Sequence, residues 1–407
     1  MTLRVAVDSF ISRAAVCSLV SALAFGQSQA IPESTPNAKL ERLRVQVQRQ
    51  GFEKTEQELQ RSLQKHGAVS SVIESLALLY VDWKKPDRVV LLANQISPQE
   101  EDVALGAARV LTGGGYLEHA NQFLQSFLPR SNVFSWKLTD LRATVLIELG
   151  RHDEVIKILT AVPEGSEKEP ARYYRLALAN QGLGRWNEAL SHIRKALQIQ
   201  PDPVYIYTEG LLLLTMDKLP EAQRVFAEGR KRFPNSPQLC LGHARLYSKV
   251  GDFYRVESSL RKAIELDPNY GEAYAHLGRL FYLVGDWESF RPTIQRAIEL
   301  QPHNFLACYY YGQLILLDGG EQAQERALEL FKKSVQFEKT FAAGYIASGQ
   351  ILANQGNGKE ALEFYQQAAQ KDPRNNRVYY LMAQAYRSLG QLDEAKRSLE
   401  RAGLSKR

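Results

Sequence analysis

The sequence has little of what marks a disulfide scaffold, a membrane protein or a nucleic-acid binder. Only three of its 407 residues are cysteine, which excludes a fold held together by several disulfides. Basic and acidic residues number 51 and 45, so the net charge of +6 is mild and does not by itself imply a nucleic-acid partner. Hydrophobic residues make up 44% and charged residues 24%, which excludes global disorder and a polytopic membrane protein.

Residues 1–30 have the pattern of a secretory signal peptide. Arg4 and Arg13 supply positive charge, residues 14–26 are uncharged and mostly apolar, and Ser28 and Ala30 place small residues where a signal peptidase reads them. The apolar run is shorter than the ~20 residues of a membrane span. We therefore expect export with cleavage after Ala30; the alternatives are an uncleaved anchor and a chance apolar N-terminus. Residues 31–37 contain two prolines and predict a short linker.

The rest of the chain repeats with a period near 34 residues. Prolines at 201, 234, 268 and 302 mark the period, and a very small residue recurs seven positions after the start of each unit. Apolar residues recur at i, i+3, i+4 and i+7 in two segments of each unit, which predicts two helices. The small residues are Ala177, Gly210, Ala244, Gly278, Gly312, Gly349 and Ala383.

Local features of the unit predict how the two helices meet. A glycine between them, as at Gly251 and Gly285, allows the left-handed conformation that ends a helix. We expect the small residue of the first helix to face the alanine of the second, so that the backbones approach closely. Asp or Asn just after the glycine is expected to cap the second helix, at Asp252, Asp286, Asn357 and Asp393.

This spacing resembles the tetratricopeptide repeat, whose pattern is W-x₂-L-G-x₂-Y, then A-x₃-F, then P. Tyr274, Leu277-Gly278, Phe281, Ile294 and Pro302 follow it, although Phe290 replaces the alanine. The resemblance implies an exported, bacterial-type member of the family. Its fold is expected to be all-α, a right-handed superhelical α-solenoid of about ten to eleven helix-turn-helix units.

The predicted domain organisation follows the repeats. Residues 38–169 are assigned to diverged N-terminal repeats, which begin with a helical pair around Gly51, and residues 170–407 to well-matched repeats. The unit 305–341 carries three extra residues around Asp318, for which we expect a longer turn and a local change of superhelix pitch. The well-matched units are 170–202, 203–236, 237–270, 271–304, 305–341, 342–375 and 376–407.

No catalytic constellation is present in the sequence. The histidines form neither an H-x-x-x-H nor an H-E-x-x-H pair, and the glycine-rich stretches, such as 113–115, lack a lysine in phosphate-loop register. There is also no G-x-S-x-G motif. We therefore predict a protein that is not an enzyme, with no metal and no cofactor. Cys240 and Cys308 share one repeat position two repeats apart, so we predict two buried, unpaired thiols.

The candidate functional residues lie on the first helices. The resemblance implies that these helices form a concave face that holds an extended peptide or a partner helix. Arg245 and Arg279 are predicted to bind an acidic group, and the glutamines to pair with backbone amides. The alternative is that these side chains only solvate or pack the concave face. The candidates are Tyr174, Tyr207, Arg245, Arg279, Tyr282, Tyr309, Gln313, Gln350, Tyr380 and Gln384.

These residues predict a non-catalytic interaction scaffold or adaptor outside the cytoplasm, periplasmic or secreted, whose partner is a protein or peptide. The alternative is an accessory subunit of an envelope enzyme, a secretion complex or a polysaccharide complex. The mild charge and the export signal disfavour a nucleic-acid partner. Membrane contact is expected only through an N-terminus that escapes cleavage. The family's chaperone-tail binders use lysines and asparagines where this chain has leucine, arginine and glutamine, so that partner class is not supported.

Overall fold

The structure, a computed structural model, describes residues 36–130, 134–163 and 169–403. Regular structure in these ranges consists of 22 α-helices and one 3₁₀ turn, without a strand, which confirms the all-α fold. The expected signal peptide lies outside the described residues. Helix α1 begins at Pro36, so the last two residues of the expected linker are helical. None of the helices described is both long and apolar enough to cross a membrane.

The described chain divides into two compact units, Met1–Gly229 and Arg230–Arg407. In the first unit the helix pair expected around Gly51 is present, and first helices of neighbouring pairs, such as α7 and α9, pack against each other. The helices are α1 Pro36–Gln50, α2 Phe52–His66, α3 Ser70–Asp82, α4 Pro86–Leu92, α5 Glu101–Gly113, α6 Leu117–Phe127, α7 Trp136–Glu148, α8 His152–Thr160, α9 Pro170–Gly182, α10 Trp186–Ile199, α11 Pro203–Thr215 and α12 Leu219–Arg232, whose last residues belong to the second unit.

The second unit is a regular series of helix pairs. Each first helix packs against the second helix of its own pair, and α15 also packs against the next first helix, α17. The helices are α13 Pro237–Val250, α14 Phe253–Leu266, α15 Gly271–Val284, α16 Trp287–Leu300, α17 Phe305–Asp318, α18 Ala323–Phe337, α19 Ala342–Asn354, α20 Gly358–Lys371, α21 Asn376–Ser388 and α22 Leu392–Arg401.

The glycines at this position of the first helices make room for a bulky side chain of the second helix, and a Cβ atom on Gly349 would also lie 3.1 Å from the carbonyl oxygen of Ala361, the alanine that we expected. A Cβ atom on Gly312 would lie 2.7 Å from the ring of Phe331, and a Cβ atom on Gly349 would lie 2.5 Å from the ring of Tyr365. Phe331 and Tyr365 stand four residues after the alanine of the second helix. Because this larger side chain points across the interface, it fills the space that the missing side chain leaves.

The turns between paired helices follow the sequence pattern only in part. Gly251 and Gly285 have φ of 75° and end their helices in the left-handed conformation, as predicted. Asp252 and Asp286 cap the following helices, because their carboxylates accept from the backbone amides of Arg255 and Ser289 at 3.0 and 3.1 Å. The capping prediction is wrong at two positions: the Asn357 side chain makes no capping hydrogen bond, and Asp393 lies inside the first turn of α22.

The unit 305–341 has the longer turn that its extra residues predict. Helix α17 ends at Asp318 and α18 begins at Ala323, and Gly319, Gly320 and Gln322 between them all have positive φ. Arg291 of α16 donates to both carboxylate oxygens of Asp318 at 2.6 Å, which ties the turn to the preceding repeat. A change of superhelix pitch here stays a prediction, as does the handedness of the solenoid.

Both cysteines of the described chain are buried and unpaired, which confirms the prediction for Cys240 and Cys308. Burial raises the pKa of both thiols, to about 12 for Cys308. The Cys308 thiol also donates to the carbonyl of Pro302 at 3.4 Å. Both side chains therefore serve as small core residues.

Candidate functional site

Most candidate residues of the second unit remain partly accessible on its first helices. Arg245 on α13 and Arg279 on α15 occupy equivalent positions 34 residues apart, and neither side chain is fully buried. Gln313 on α17 and Gln350 on α19 continue the same row and are also half-buried. The row therefore presents its polar ends to solvent, as a binding surface requires.

Arg245 and Arg279 flank a buried acid–histidine pair on α15. Glu272 is 7% exposed, and its Oε1 lies 3.9 Å from Nε2 of His276 one turn later. Burial raises the pKa of Glu272, while the charge of Arg245 acts in the opposite direction. Burial, reinforced by both arginines, holds the pKa of His276 well below 6.5, so the imidazole is neutral at pH 7.

A buried tyrosine of the next repeat lies close enough to Arg279 to interact with its charge. Burial raises the pKa of the Tyr310 hydroxyl on α17 to about 12, and the positive charge of Arg279 acts in the opposite direction. We call Arg245, Glu272, His276, Arg279 and Tyr310 the arginine cluster. It contains two permanent cations and one carboxylate with a raised pKa, so its net charge is positive.

Tyr282 and Gln313 form a second link between α15 and α17. The Tyr282 hydroxyl donates to Oε1 of Gln313 at 3.3 Å, and the Tyr282 ring packs 5.2 Å from the ring of Tyr310. This hydrogen bond fixes the carbonyl side of the Gln313 amide, and the two N–H donors of an amide can serve more than one acceptor. A backbone carbonyl of an extended peptide is such an acceptor.

The remaining candidates of the second unit differ in accessibility. Tyr309 packs edge-on against Phe341 at 5.1 Å, and burial raises its pKa, so the ring is largely structural. Gln350 accepts a hydrogen bond from Arg377 at 3.4 Å. Tyr380 is 42% exposed and Gln384 is exposed. The C-terminal part of the row therefore offers accessible side chains without a built pocket.

The two candidates of the first unit belong mainly to packing. Tyr207 is only 4% exposed, so its ring is part of the interior, and its contact with a partner stays a prediction. Tyr174 is partly exposed, and its ring lies 5.0 Å from that of Tyr205 and beneath the guanidinium of Arg175. Both contacts hold Tyr174 in place.

Sequence reasoning missed Glu272, His276 and Tyr310. Glu272 stands one residue after the start of its unit, and His276 follows one helical turn later. Reading two successive repeats together, with Glu272 after Arg245 and Tyr310 after Arg279, is the signal that could have found the cluster.

Metal and nucleotide chemistry has no visible basis in the described ranges. They contain no group of three histidine, cysteine or carboxylate side chains that could hold a metal ion. Residues 113–115 lie at the end of α5 and in the turn before α6, and no strand precedes them. The chemistry that the arginine cluster offers is that of its guanidinium groups, which attract an anion and donate hydrogen bonds.

Family models match three stretches of the chain. The stretches are 170–203, 241–305 and 352–407, and each matching model describes a tetratricopeptide repeat. They coincide with helix pairs of the structure that have the pattern's glycine turns and small-residue contacts. The chain is a tetratricopeptide repeat protein. The arginine cluster, with residues from 245 to 310, lies largely in a matched stretch, so it is built on tetratricopeptide repeats.

Curated relatives share parts of the chain. An uncharacterised protein of Aquifex aeolicus (strain VF5) is 27% identical over 222 residues, or 53% of this chain and 25% of that protein. Mouse interferon-induced protein with tetratricopeptide repeats 2 is 32% identical over 120 residues, or 28% of this chain and 25% of that protein. The matches thus span about a quarter of the length of each of these two relatives.

Several solved structures are similar to the tetratricopeptide repeat chain. A chain of the APC/C hetero-tetramer Cut9–Hcn1 is 14% identical with a TM-score of 0.46, covering 90% of this chain and 87% of that one. Yeast Tom70 is 14% identical with a TM-score of 0.41, covering 91% and 92%. YrrB, described as a tetratricopeptide repeat protein with an unusual peptide-binding site, is 20% identical with a TM-score of 0.33, covering 44% and 90%. The repeat fold is that of a protein–protein interaction scaffold.

Proposed function

We propose that the protein is a non-catalytic scaffold outside the cytoplasm, which holds a partner peptide along the first helices of the unit Arg230–Arg407. An acidic side chain of the peptide pairs with Arg245 and Arg279, and its backbone pairs with the amides of Gln313 and Gln350. The proposal rests on the arginine cluster, in which two partly accessible guanidinium groups stand at equivalent positions of α13 and α15.

The chemistry of the cluster favours an acidic peptide over a neutral one. Arginine offers several N–H donors in a rigid fork that matches a carboxylate. A partner with arginine or lysine at this point would be repelled, which adds specificity.

The experiment compares two charge-reversal variants of the full chain. Arg245→Glu with Arg279→Glu reverses the cluster. Arg255→Glu with Arg261→Glu makes the same change in charge on α14, where both arginines are exposed and paired with acids of their own helix or its cap. Partners are captured from the native host and identified by mass spectrometry. Their acidic segments are then titrated into each protein as peptides, beside control peptides in which glutamine replaces glutamate and asparagine replaces aspartate.

The proposal predicts that the wild-type protein and the α14 variant bind the acidic peptide at least about tenfold more tightly than its amide version, since a charge-assisted hydrogen bond contributes about 1.5–3 kcal/mol. The cluster variant should lose this preference. Undiminished binding of the partner by the cluster variant would contradict the proposed site.

Export is proposed from residues 1–30 and is tested separately. The full gene is expressed in the native host, the cells are fractionated, and the N-terminus of the purified protein is sequenced. A mature N-terminus at Ile31 in an extracytoplasmic fraction supports the proposal. An intact N-terminus at Met1 in the cytoplasmic fraction contradicts it.

A further inference from the structure

The unit Met1–Gly229 contains a pocket that no part of the proposed function uses. It opens between the end of α6, the start of α7 and the end of α8, and its volume is about 450 Å³. Ligand pockets are commonly about 300–1,000 Å³, so the space suits a small ligand or the end of a chain. Its walls are mainly apolar and include Leu128, Pro129, Phe134, Ile158 and Val162.

Among the described residues that line this pocket, Arg142 carries the one charged side chain. Its Nε donates to Oδ1 of the buried Asn121 at 3.2 Å, which fixes the plane of the guanidinium. Two other polar residues line the pocket, but their hydroxyls serve the start of α7: Ser135 accepts from the amide of Leu138, and Thr139 donates to the carbonyl of Ser135. Of the polar side chains described in the lining, Arg142 is therefore the one whose Nη groups remain to donate to a ligand.

The acids near Arg142 are already committed to other arginines. Asp140 binds Arg175 through both oxygens, at 2.9 and 3.1 Å. Glu154 binds Arg151 at 2.5 Å. Across the described ranges, no carboxylate lies within 4 Å of the Arg142 guanidinium. Burial lowers the pKa of Arg142, and the charge of Glu154 only partly opposes this effect.

Other partly buried arginines of the same unit are compensated. Arg44 pairs with Asp82, Arg175 pairs with Asp140, and Arg130 donates to the backbone carbonyls of Ala93 and Ile96. A partly buried cation without a carboxylate costs free energy in the unbound protein. An anion that enters the pocket would remove this cost at Arg142.

We propose that this pocket binds a monocarboxylate that carries an apolar body. The guanidinium of Arg142 favours an anionic head group, because one guanidinium pairs with one carboxylate through two N–H donors. The apolar walls accept the body of the ligand. Two sources supply this chemistry: a free aliphatic acid, and the C-terminal residue of a peptide with an apolar side chain.

The test titrates the full chain with matched probes. Octanoate and octanamide have the same aliphatic chain and differ only in the head group, which is a charged carboxylate in the first and a neutral amide in the second. Acetyl-Gly-Leu-Leu with a free or an amidated C-terminus makes the same comparison for a peptide. Calorimetric titration at pH 7 measures the affinity, and thermal melting of every variant checks that it is folded.

Three variants separate charge, space and unrelated effects. Arg142→Gln removes the charge and keeps hydrogen-bonding capacity. Ala161→Leu adds bulk to the pocket lining and leaves Arg142 in place. Arg151→Gln removes a nearby exposed arginine that does not line the pocket and is therefore the matched control.

The expected result is saturable binding of octanoate or of the free-ended peptide, with the neutral counterpart at least about tenfold weaker. Arg142→Gln should lose at least about tenfold, Ala161→Leu should weaken binding, and Arg151→Gln should leave it unchanged. Binding of only one acid identifies the source. Absence of saturable binding by both acids, equal binding of acid and amide, or wild-type affinity in Arg142→Gln would overturn the proposal.

Discussion

Arg175 of α9 binds both carboxylate oxygens of Asp140 on α7, which joins the first helices of two successive repeats. The Arg175 side chain is only 12% exposed and that of Asp140 only 25%. Burial alone would lower the pKa of Arg175, but Asp140 outweighs this effect and the pKa is raised. The pair therefore fixes how two repeats stack, in a region where either charge alone would be costly.

The first prediction concerns this pair. Asp140→Asn should lower the free energy of unfolding by about 2–4 kcal/mol, because it leaves the buried Arg175 without its carboxylate. The double variant Asp140→Leu with Arg175→Met should recover much of the loss. Urea denaturation followed by circular dichroism measures all three proteins. The prediction fails if the double variant is less stable than Asp140→Asn.

The second prediction concerns Gly312, which lies against the ring of Phe331. A Cβ atom would approach this ring to 2.7 Å, and the ring cannot move freely because it also packs against Tyr309 at 5.4 Å. Gly312→Ala should therefore destabilise the protein by about 1–3 kcal/mol. Adding Phe331→Leu should relieve part of this cost.

Gly106 is the matched control for that substitution. It also lies inside a helix, α5, but a Cβ atom there would meet nothing within 4 Å. Gly106→Ala should stabilise the protein by about 0.5–1 kcal/mol, through helix propensity alone. Thermal and urea denaturation compare the two single variants. Equal effects of the two would show that the contact with Phe331 does not decide the choice of glycine.

The third prediction concerns thiol reactivity. The pKa of Cys308 is about 12, and burial also raises the pKa of Cys240, so very little of either thiol is ionised at pH 8. A chain that starts at Ile31 should react slowly with a thiol reagent when it is native. In guanidinium, the unfolded chain should expose two thiols that react with the reagent. Non-reducing mass spectrometry should find no bridge between the two cysteines. Rapid reaction of the native protein would contradict their burial.

The fourth prediction concerns pH and His276. Its folded-state pKa lies well below 6.5, so the unfolded chain takes up the proton first as the pH falls. The contribution of this histidine to stability is therefore complete above about pH 6.5 and is lost progressively below it, by up to about 1.4 kcal/mol for each pH unit. Arg245, Arg279 and Glu272 surround the ring and set this direction.

His276→Gln tests this contribution, because glutamine keeps polarity and does not titrate. The free energy of unfolding of the variant should depend less on pH than that of the wild-type protein between pH 7.5 and 5. Glu272 acts in the opposite direction: its folded pKa is raised above 4.5, so its contribution is lost as the pH rises through that folded value. Glu272→Gln is therefore the companion variant, and parallel pH profiles for His276→Gln and wild type would refute the role of His276.

The sequence predicts the helix pairs well because periodicity and glycine turns are local signals. Gly251 and Gly285 end their helices where the pattern places them, and Asp252 caps the next helix. Spacing alone did not show that the bulky residue four positions after the alanine also crosses the interface to the small residue. The contact between Gly312 and the ring of Phe331 becomes visible only in the structure.

Functional residues were harder to predict, because their chemistry depends on neighbours from other repeats. Arg245 and Arg279 were found from their shared repeat position, but Glu272 between them was not. Arg142 was also missed, although a signal was present: it precedes Ala143 at the position where the repeat pattern has leucine, as Leu277 precedes Gly278. A charged residue at a position that normally packs is the observation that could have led to the pocket.

The fifth prediction follows from the cost of that substitution. Arg142→Met alone should destabilise the free protein by about 1–3 kcal/mol, because it leaves the buried Asn121 carbonyl without its donor. Arg142→Met with Asn121→Leu removes both partners and the uncompensated charge, so its free energy of unfolding should equal or exceed that of the wild-type protein.

A saturating ligand raises the melting temperature of a protein that binds it in the folded state. Octanoate or the free-ended peptide should therefore raise the melting temperature of the wild-type protein and leave that of the double variant unchanged. A double variant much less stable than Arg142→Met would show that Arg142 is retained for folding, not for a ligand.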